Sequence, residues 1–322
     1  MLTFAIRRLL YSIPVILVGS FILFWAVRTV FDPLIKLRQV RDPEVIARET
    51  ERLGLDQGIV VQYWRWLSGF VTGDWGTSSR TSGPVMPIIQ SALAITLELL
   101  IWSLIFATIA AVIVGVWSAL RQYSPSDYAL TGLAYIGLAI PAFWFGLILI
   151  QFLAVWPQQA LGWTEPPFYF IGVSSADKED SLLDTARHLA LPILTLTVGL
   201  VAVWSRFTRT SMLDALSSDY VRTARAKGVP RHRVVIQHAL RNSWGPLITV
   251  IAIDSALLIG GLLVTEQVFS IPGMGRLFLD SLLAGDVFVL MPWMLIVALA
   301  VVVLNFLADL AHALLDPRVR LT

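Results

Sequence analysis

Residues Ser218–Asn242 read SDYVRTARAKGVPRHRVVIQHALRN. The run is amphipathic rather than merely basic. Tyr220, Val221 and Ala224 can share one helical face while Arg222, Arg225 and Lys227 project elsewhere. Gly228 and Pro230 end this helix, because glycine allows a left-handed turn and proline offers no amide to continue the ladder. A second helix is expected from about Arg231, with Val234, Val235, His238 and Leu240 on a partly apolar side. Two short helices joined by Gly-Val-Pro make a compact piece that can lie across a membrane surface. A basic amphipathic helix often does no more than sit on anionic lipid. The meaning of the stretch therefore depends on its setting.

That setting is apolar. Of 322 residues, 57% are hydrophobic and 14% charged, against about 45–50% and 25% in soluble chains. The mean hydropathy is +0.74. There is too little polar material to cover a soluble domain of this length, which excludes an ordinary cytosolic enzyme. With 21 Gly and 16 Pro, disordered and collagen-like chains are excluded as well. Cysteine is absent, so there is no disulfide or thiol chemistry. The formal charge of +2 gives no case for nucleic-acid binding.

A spanning helix needs about 20 apolar residues, and six segments meet or approach that. They are Leu9–Val27, Ala92–Leu120 with Glu98, Ala129–Trp156 with Pro141, Leu189–Ser205 with Pro192, Trp244–Thr265 with Asp254, and Val287–Ala308. The expected fold is an all-α polytopic membrane protein with six transmembrane helices. The first apolar run is long for a signal peptide and is read as a retained helix. Residues Arg206–Asn242 carry eight basic residues against Asp214 and Asp219, whereas Pro157–His188 and Glu266–Asp286 are net acidic. Positive charge inside places the 206–242 loop, Arg7 and Arg8, and both termini in the cytoplasm.

The chain then divides into residues 1–30 (N-terminal end and first span), a long extracytoplasmic connection at 31–91, a core at 92–312, and a cytoplasmic tail at 313–322. Within the core lie an extracytoplasmic loop at 157–188 and the cytoplasmic loop at 206–242. In the 31–91 connection Pro43–Leu53 reads as a short helix, and Val60–Phe70 interleaves Tyr63, Trp64, Trp66 and Phe70 as an interfacial helix or packed subdomain would. Glycines and prolines from Gly73 to Pro87 punctuate the return to the second span.

The order of residues in Asp219–Asn242, DYVRTARAKG and then HALRN, closely resembles the cytoplasmic coupling loop of ABC importer permeases of the dipeptide/oligopeptide/nickel family. The likeness runs through Arg7–Leu10, Leu53–Gln57, Gln62–Tyr63, Gly73–Ser78, Thr96–Leu99, Pro246, Gly260–Gly261, Glu266–Phe269, Ile271–Gly275, Asp309 and the terminal Asp316–Arg320. The long first connection and the terminal DPRVR resemble the B-type subunit of the permease pair. Where permeases generally begin this loop with Glu-Ala-Ala, Arg222, Thr223 and Ala224 stand ahead of Gly228, as in this subfamily. His312 replaces a frequent tyrosine, and Leu283–Asp286 reads LAGD where an arginine often precedes the aspartate.

This resemblance implies the permease fold of type I ABC importers and a bacterial plasma-membrane location. It implies a non-catalytic subunit importing dipeptides or oligopeptides, with nickel chelates, haem or a sugar-like cargo as alternatives on the same architecture. An ion-coupled secondary peptide transporter using Glu98 and Asp254, and a scaffold that merely holds an ATPase, are readings of other classes. The implied partners are a second homologous permease, one or two cytoplasmic ATPase subunits that bind ATP and Mg, and an extracytoplasmic substrate-binding protein, a lipoprotein. Tyr220, Ala224, Ala226, Gly228 and His238 are expected to give the coupling loop packing and shape, and Arg222, Arg225, Lys227 and Arg241 charge and hydrogen bonds.

Carboxylates in apolar segments must face a partner, a cavity or water. Glu98, Asp254 and Glu266 are therefore candidates for the translocation pathway, with an interhelix lock, or an interfacial position for Glu266 and Asp309, as the competing role. Asp309 is assigned to such a lock. Gly260 and Gly261 permit close helix approach, and Pro272, Gly273 and Gly275 suggest a tight turn or re-entry before the last span. The isolated histidines make no metal site, and no Gly-x-x-x-x-Gly-Lys-Ser/Thr loop is present, so no cofactor is assigned to this chain.

Overall fold

The computed structural model describes residues 2–35, 38, 42–175, 178 and 181–315. The acidic residues Asp177, Glu179 and Asp180 and the terminal Asp316–Arg320 lie outside the described residues, as does the side chain of His312. The described chain is helical, with one isolated bridge between Thr77 and Pro84. Its helices are α1 (Leu2–Val30), α2 (Pro43–Leu53), α3 (Ile59–Thr72), α4 (Val85–Leu120), α5 (Pro125–Ala139), α6 (Ala142–Leu161), α7 (Leu182–Ser217), α8 (Asp219–Ala226), α9 (Arg241–Gly261), α10 (Leu263–Val268), α11 (Met274–Ala284) and α12 (Val287–Leu315).

Among the described residues five helical stretches are long and apolar enough to cross a membrane: Ile6–Val30, Val85–Leu120, Ala142–Leu161, Leu182–Ser217 and Val287–Leu307. The expected segment Trp244–Thr265 is helical as α9 and α10, but Leu262 interrupts it.

Two sequence expectations are corrected. The segment Ala129–Trp156 is not one helix: Ile140 is extended and Pro141 caps α6, because the Pro141 ring cannot donate and would strike the preceding turn. The spanning part is α6, which continues through a π-helical stretch at Ile150–Val155 to Leu161. The fourth span does not stop at Ser205. At 36 residues, α7 is about 54 Å long at 1.5 Å per residue. Residues Arg206–Ser217, read as loop, are its last three turns.

The chain forms two compact units, one of Leu2–Thr96 with Pro272–Val303, the other of Leu97–Ile271 with the residues from Leu304. In the first, α1 and α3 pack through Phe24, Val27 and Tyr63 together with Val287, Leu290 and Met291. The Tyr63 hydroxyl lies 2.8 Å from Ser20 Oγ and donates to the Leu17 carbonyl at 3.2 Å. Of the interleaved aromatics, Tyr63 is buried and Trp66 and Phe70 are half-buried, while Trp64 is exposed. The α2 helix has the bounds read from sequence, set by the Asp42 carboxylate accepting from the Glu44 amide (3.0 Å) at one end and by Gly54 at the other. A second cluster joins Val85, Ile89 and Ala92 to Met274, Val289 and Trp293.

In the second unit Ala107 and Ala111 of α4 pack on Leu200 and Trp204 of α7 and Leu247 of α9. Two helices approach closely at Gly115 of α4, where a Cβ would come within 2.5 Å of Thr208 Cβ and 2.7 Å of the Ser205 carbonyl of α7. Small residues permit such contact where lipid offers no hydrophobic drive between helices. The glycines singled out for this, Gly260 and Gly261, end α9, and their packing lies outside the described residues.

Candidate coupling surface and membrane carboxylates

The coupling stretch is built on its own apolar core. Met212 and Ala215 of α7, Val221 and Ala224 of α8, Val234 and Ala239 beyond the turn, and Ala119 of α4 are all buried together. Val229 of the Gly-Val-Pro link and Val235 and Leu240 close the edges. Val221 is fully buried, so α8 is fixed to the end of α7 rather than hanging from it. After the turn, Arg231–Arg233 lead through a π-helical stretch, Val234–Leu240, directly into α9. The second helix of the pair is thus the start of the next long helix.

The rest of α8 and the turn after it are solvent-exposed: Tyr220, Arg222, Thr223, Arg225, Ala226, Lys227 and Gly228. Tyr220 is exposed at the edge of the face that Val221 and Ala224 bury. Ala224 belongs to the internal core, His238 is half-buried, and Arg241 is exposed at the start of α9. Arg222 faces Asp219 at 3.5 Å in an exposed pair of little energetic weight. Gly228 has φ +75°, and a Cβ there would meet nothing within 4 Å. Its role within this chain is conformational, since the left-handed region costs other residues about 1–2 kcal/mol.

Beside this core sits a buried ion pair that sequence reading missed. Arg209 of α7 binds Asp127 of α5 with both arms, Nε to Oδ1 at 3.0 Å and Nη2 to Oδ2 at 2.9 Å. Ser118 of α4 donates to the same carboxylate and accepts from Arg209 Nε at 3.1 Å, and the Tyr123 amide donates to Asp127 Oδ2 at 2.9 Å. Asp127 is buried. The Arg209 hydrogen bonds, working against the penalty of burial and aided by Ser118 and the Tyr123 amide, hold its carboxyl well below the usual carboxylate range. One clasp therefore ties three helices together three residues before Met212.

The candidate pathway carboxylates meet different surroundings. Glu98 is exposed on the apolar helix α4. Asp254 of α9 is half-buried and accepts from the Trp204 indole, Nε1 to Oδ2 at 2.7 Å. Glu266 is fully buried in α10, and its carbonyl accepts from the Ile271 amide at 2.8 Å. Asp309 is half-buried in α12. The tight turn expected at Pro272–Gly275 is the start of a packed helix. Gly273 caps α11, the Met274 amide donates to Thr96 Oγ1 at 2.8 Å, and the Trp293 indole donates to the Met274 carbonyl at 2.8 Å. Pro272 is exposed and Gly275 buried.

A second buried carboxylate, whose partners sequence reading missed, ends the LAGD run. Asp286 is buried and accepts from Ser78 Oγ at 2.6 Å and the Arg80 amide at 3.2 Å, while Arg80 pairs with Asp280 at 3.0 Å. Among the described residues no three His, Asp or Glu side chains converge as metal ligands.

Comparison with known proteins adds the following. The family described as "Binding-protein-dependent transport system inner membrane component" matches residues 111–321, and its N-terminal counterpart matches residues 1–100. The oligopeptide transport system permease protein AppB of Bacillus subtilis is 41% identical, covering 99% of both chains. The dipeptide transport system permease protein DppB of Escherichia coli is 36% identical over 99% of both. The glutathione transport system permease protein GsiC of Salmonella paratyphi A is also 36% identical, again over 99% of both. Among solved structures, the inward-facing MetNI methionine ABC transporter matches with a TM-score of 0.56 at 16% identity, over 72% of this chain and 97% of that one, which supports the fold. An exposed basic helix on its own apolar core, long apolar helices and full-length likeness to permeases agree: the chain belongs to the binding-protein-dependent transport system inner membrane component family and is a non-catalytic, multi-pass membrane permease subunit.

Proposed function

We propose that this chain forms half of the translocation pathway for dipeptides or oligopeptides and couples it to cytoplasmic ATPases. The observation that carries the cargo is the full-length likeness to permeases named for oligopeptides, dipeptides, di- and tripeptides and glutathione, all of them peptides. In this reading α9 with α10 completes six spans, both termini are cytoplasmic, and the basic surface of α8 is inside, as the charge asymmetry favours. A second permease closes the pathway, a substrate-binding protein delivers cargo from outside, and two ATPase domains engage α8 from within.

The mechanical logic follows from the packing. A subunit without nucleotide chemistry must receive force through a rigid protrusion. With Val221 and Ala224 seated against α7, and Arg209 clasped to Asp127, displacement of α8 moves α4, α5 and α7 as a body. Tyr220, Arg222, Arg225, Ala226, Lys227 and the open side of Gly228 form the face presented to the ATPase. His238 and Arg241 support the hairpin's second arm. ATP-driven closure of the partners then switches the pathway between outward and inward access.

Glu98, Asp254 and Glu266 are the carboxylates assigned to the pathway, where they meet the peptide amino group. Asp309, Gly260, Gly261, Pro272, Gly273 and Gly275 set helix packing and gating. ATP-driven uptake of a labelled dipeptide by the reconstituted complex tests the whole reading. Asp254→Asn keeps an acceptor for Trp204 but removes the charge. Reduced uptake with an intact fold supports a pathway role, and unchanged rate and peptide preference refute it.

A further inference from the structure

Away from the coupling surface, the first unit contains a cavity of about 230 Å³ between α1, α2, α3 and the Asp74–Thr77 turn. Three guanidinium-bearing residues line it, Arg28, Arg52 and Arg65, and Phe24, Trp66 and Met291 form an apolar wall. Two of the three cations are already engaged. Arg28 donates through Nε and Nη2 to Gln62 Oε1, both at 3.1 Å, and feels the Asp32 carboxylate. Arg52 is paired with Glu49 and feels Asp74, the one carboxylate among the described residues of the cavity wall. The Arg65 carbonyl accepts from Ser68 Oγ at 2.8 Å, but its guanidinium makes no hydrogen bond or ion pair among the described residues.

The framework around Arg65 is prepared rather than accidental. Gln62 is buried, and its amide donates to the carbonyls of Gln57 (2.8 Å) and Leu55 (3.3 Å), fixing the α2–α3 link while its oxygen anchors Arg28. Gly54, left-handed at φ +64°, presents its bare Cα to Arg65, and a Cβ there would overlap the guanidinium. An unpaired guanidinium fork beside an apolar wall matches a planar or tetrahedral oxyanion carried on an apolar group. The volume is below the roughly 300 Å³ of drug-sized pockets. It suits a single terminal residue or headgroup and not a whole peptide.

We propose that this cavity is an oxyanion site that takes a carboxylate or phosphate borne on an apolar body, with Arg65 as its principal ligand and Arg28 and Arg52 flanking. The site does not depend on the peptide reading of the transport cargo.

Saturation-transfer NMR on the assembled complex in phosphatidylcholine nanodiscs tests it. The probes are N-acetylphenylalanine, N-acetylphenylalanine amide and dihexanoyl phosphatidylglycerol. The free acid is expected to bind about tenfold or more tightly than its amide, and Arg65→Gln to abolish that preference while Arg65→Lys retains part of it. Dependence on Arg65 for the acid alone identifies a water-borne carboxylate as occupant, and dependence for the phospholipid identifies a headgroup. Equal binding of acid and amide to the wild-type complex, or Arg65→Gln binding like wild type, overturns the site. The wild-type acid-to-amide comparison decides even if the variant fails to fold.

Discussion

The coupling hairpin and the aromatic helix α3 are both amphipathic elements seated on apolar cores, yet they expose charge in opposite ways. On α8 the buried side is Val221 and Ala224, and Arg222, Arg225 and Lys227 stand on a convex, open face. On α3 the packed side is Tyr63 with Trp66 and Phe70, and Arg65 and Gln62 turn toward a concavity shared with Arg28. Convex charge fits a protein groove; charge around a small hollow fits a small anion. The same helical period, read with the curvature of the surface beneath it, separates a docking element from a binding site.

The contrast breaks most severely where the hairpin meets its core. Val221→Asp places an unpaired carboxylate in a fully buried site, a change costing several kcal/mol. Co-purification of the ATPase with the permease should be lost. Asp127→Ala strands Arg209 and should cost about 3 kcal/mol, seen as a lower unfolding midpoint of the purified complex. The pH dependence has a definite sign. Because the Asp127 carboxyl is held below its unfolded value, its stabilisation is full above about pH 4 and is lost as pH falls through the folded value. The stability gap between wild type and Asp127→Asn should be level from pH 8 to about 4 and shrink below that.

On the other element, Tyr63→Phe removes the hydroxyl shared with Ser20 and the Leu17 carbonyl and should cost about 1 kcal/mol without altering ATPase coupling. Arg222→Gln should change stability by less than about 0.5 kcal/mol yet lower the ATPase activity stimulated by cargo. Equal coupling in Arg222→Gln and wild type would remove Arg222 from the docking face.

What was legible in the sequence was local. Gly228 and Pro230 announced the hairpin, Asp42, Pro43 and Gly54 bounded α2, and uninterrupted apolar runs marked the long helices. Proline shows where local reading stops. Pro141 breaks its segment whereas Pro192 and Pro246 remain inside α7 and α9; the outcome depends on how neighbours satisfy the freed carbonyl, which no window of sequence contains. Asp127 and Arg209 are 82 positions apart, and Ser78 and Asp286 are 208 apart. No periodicity connects such pairs, so both clasps were invisible until the chain was folded. Periodicity lets Tyr220, four residues before Ala224, share its face; the core against α7 takes in Val221 and Ala224 and leaves Tyr220 exposed.

The most direct test of the coupling surface compares three substitutions at Gly228 in the reconstituted complex, scored by ATP-driven dipeptide uptake. Gly228→Asn tolerates the left-handed backbone, Gly228→Ala adds its strain without bulk, and Gly228→Trp adds bulk where this chain itself leaves open space. If α8 docks into an ATPase groove, Asn and Ala keep most of the uptake, while Trp loses about tenfold or more with membrane insertion intact. Uptake by Gly228→Trp equal to that of Gly228→Ala would contradict the account.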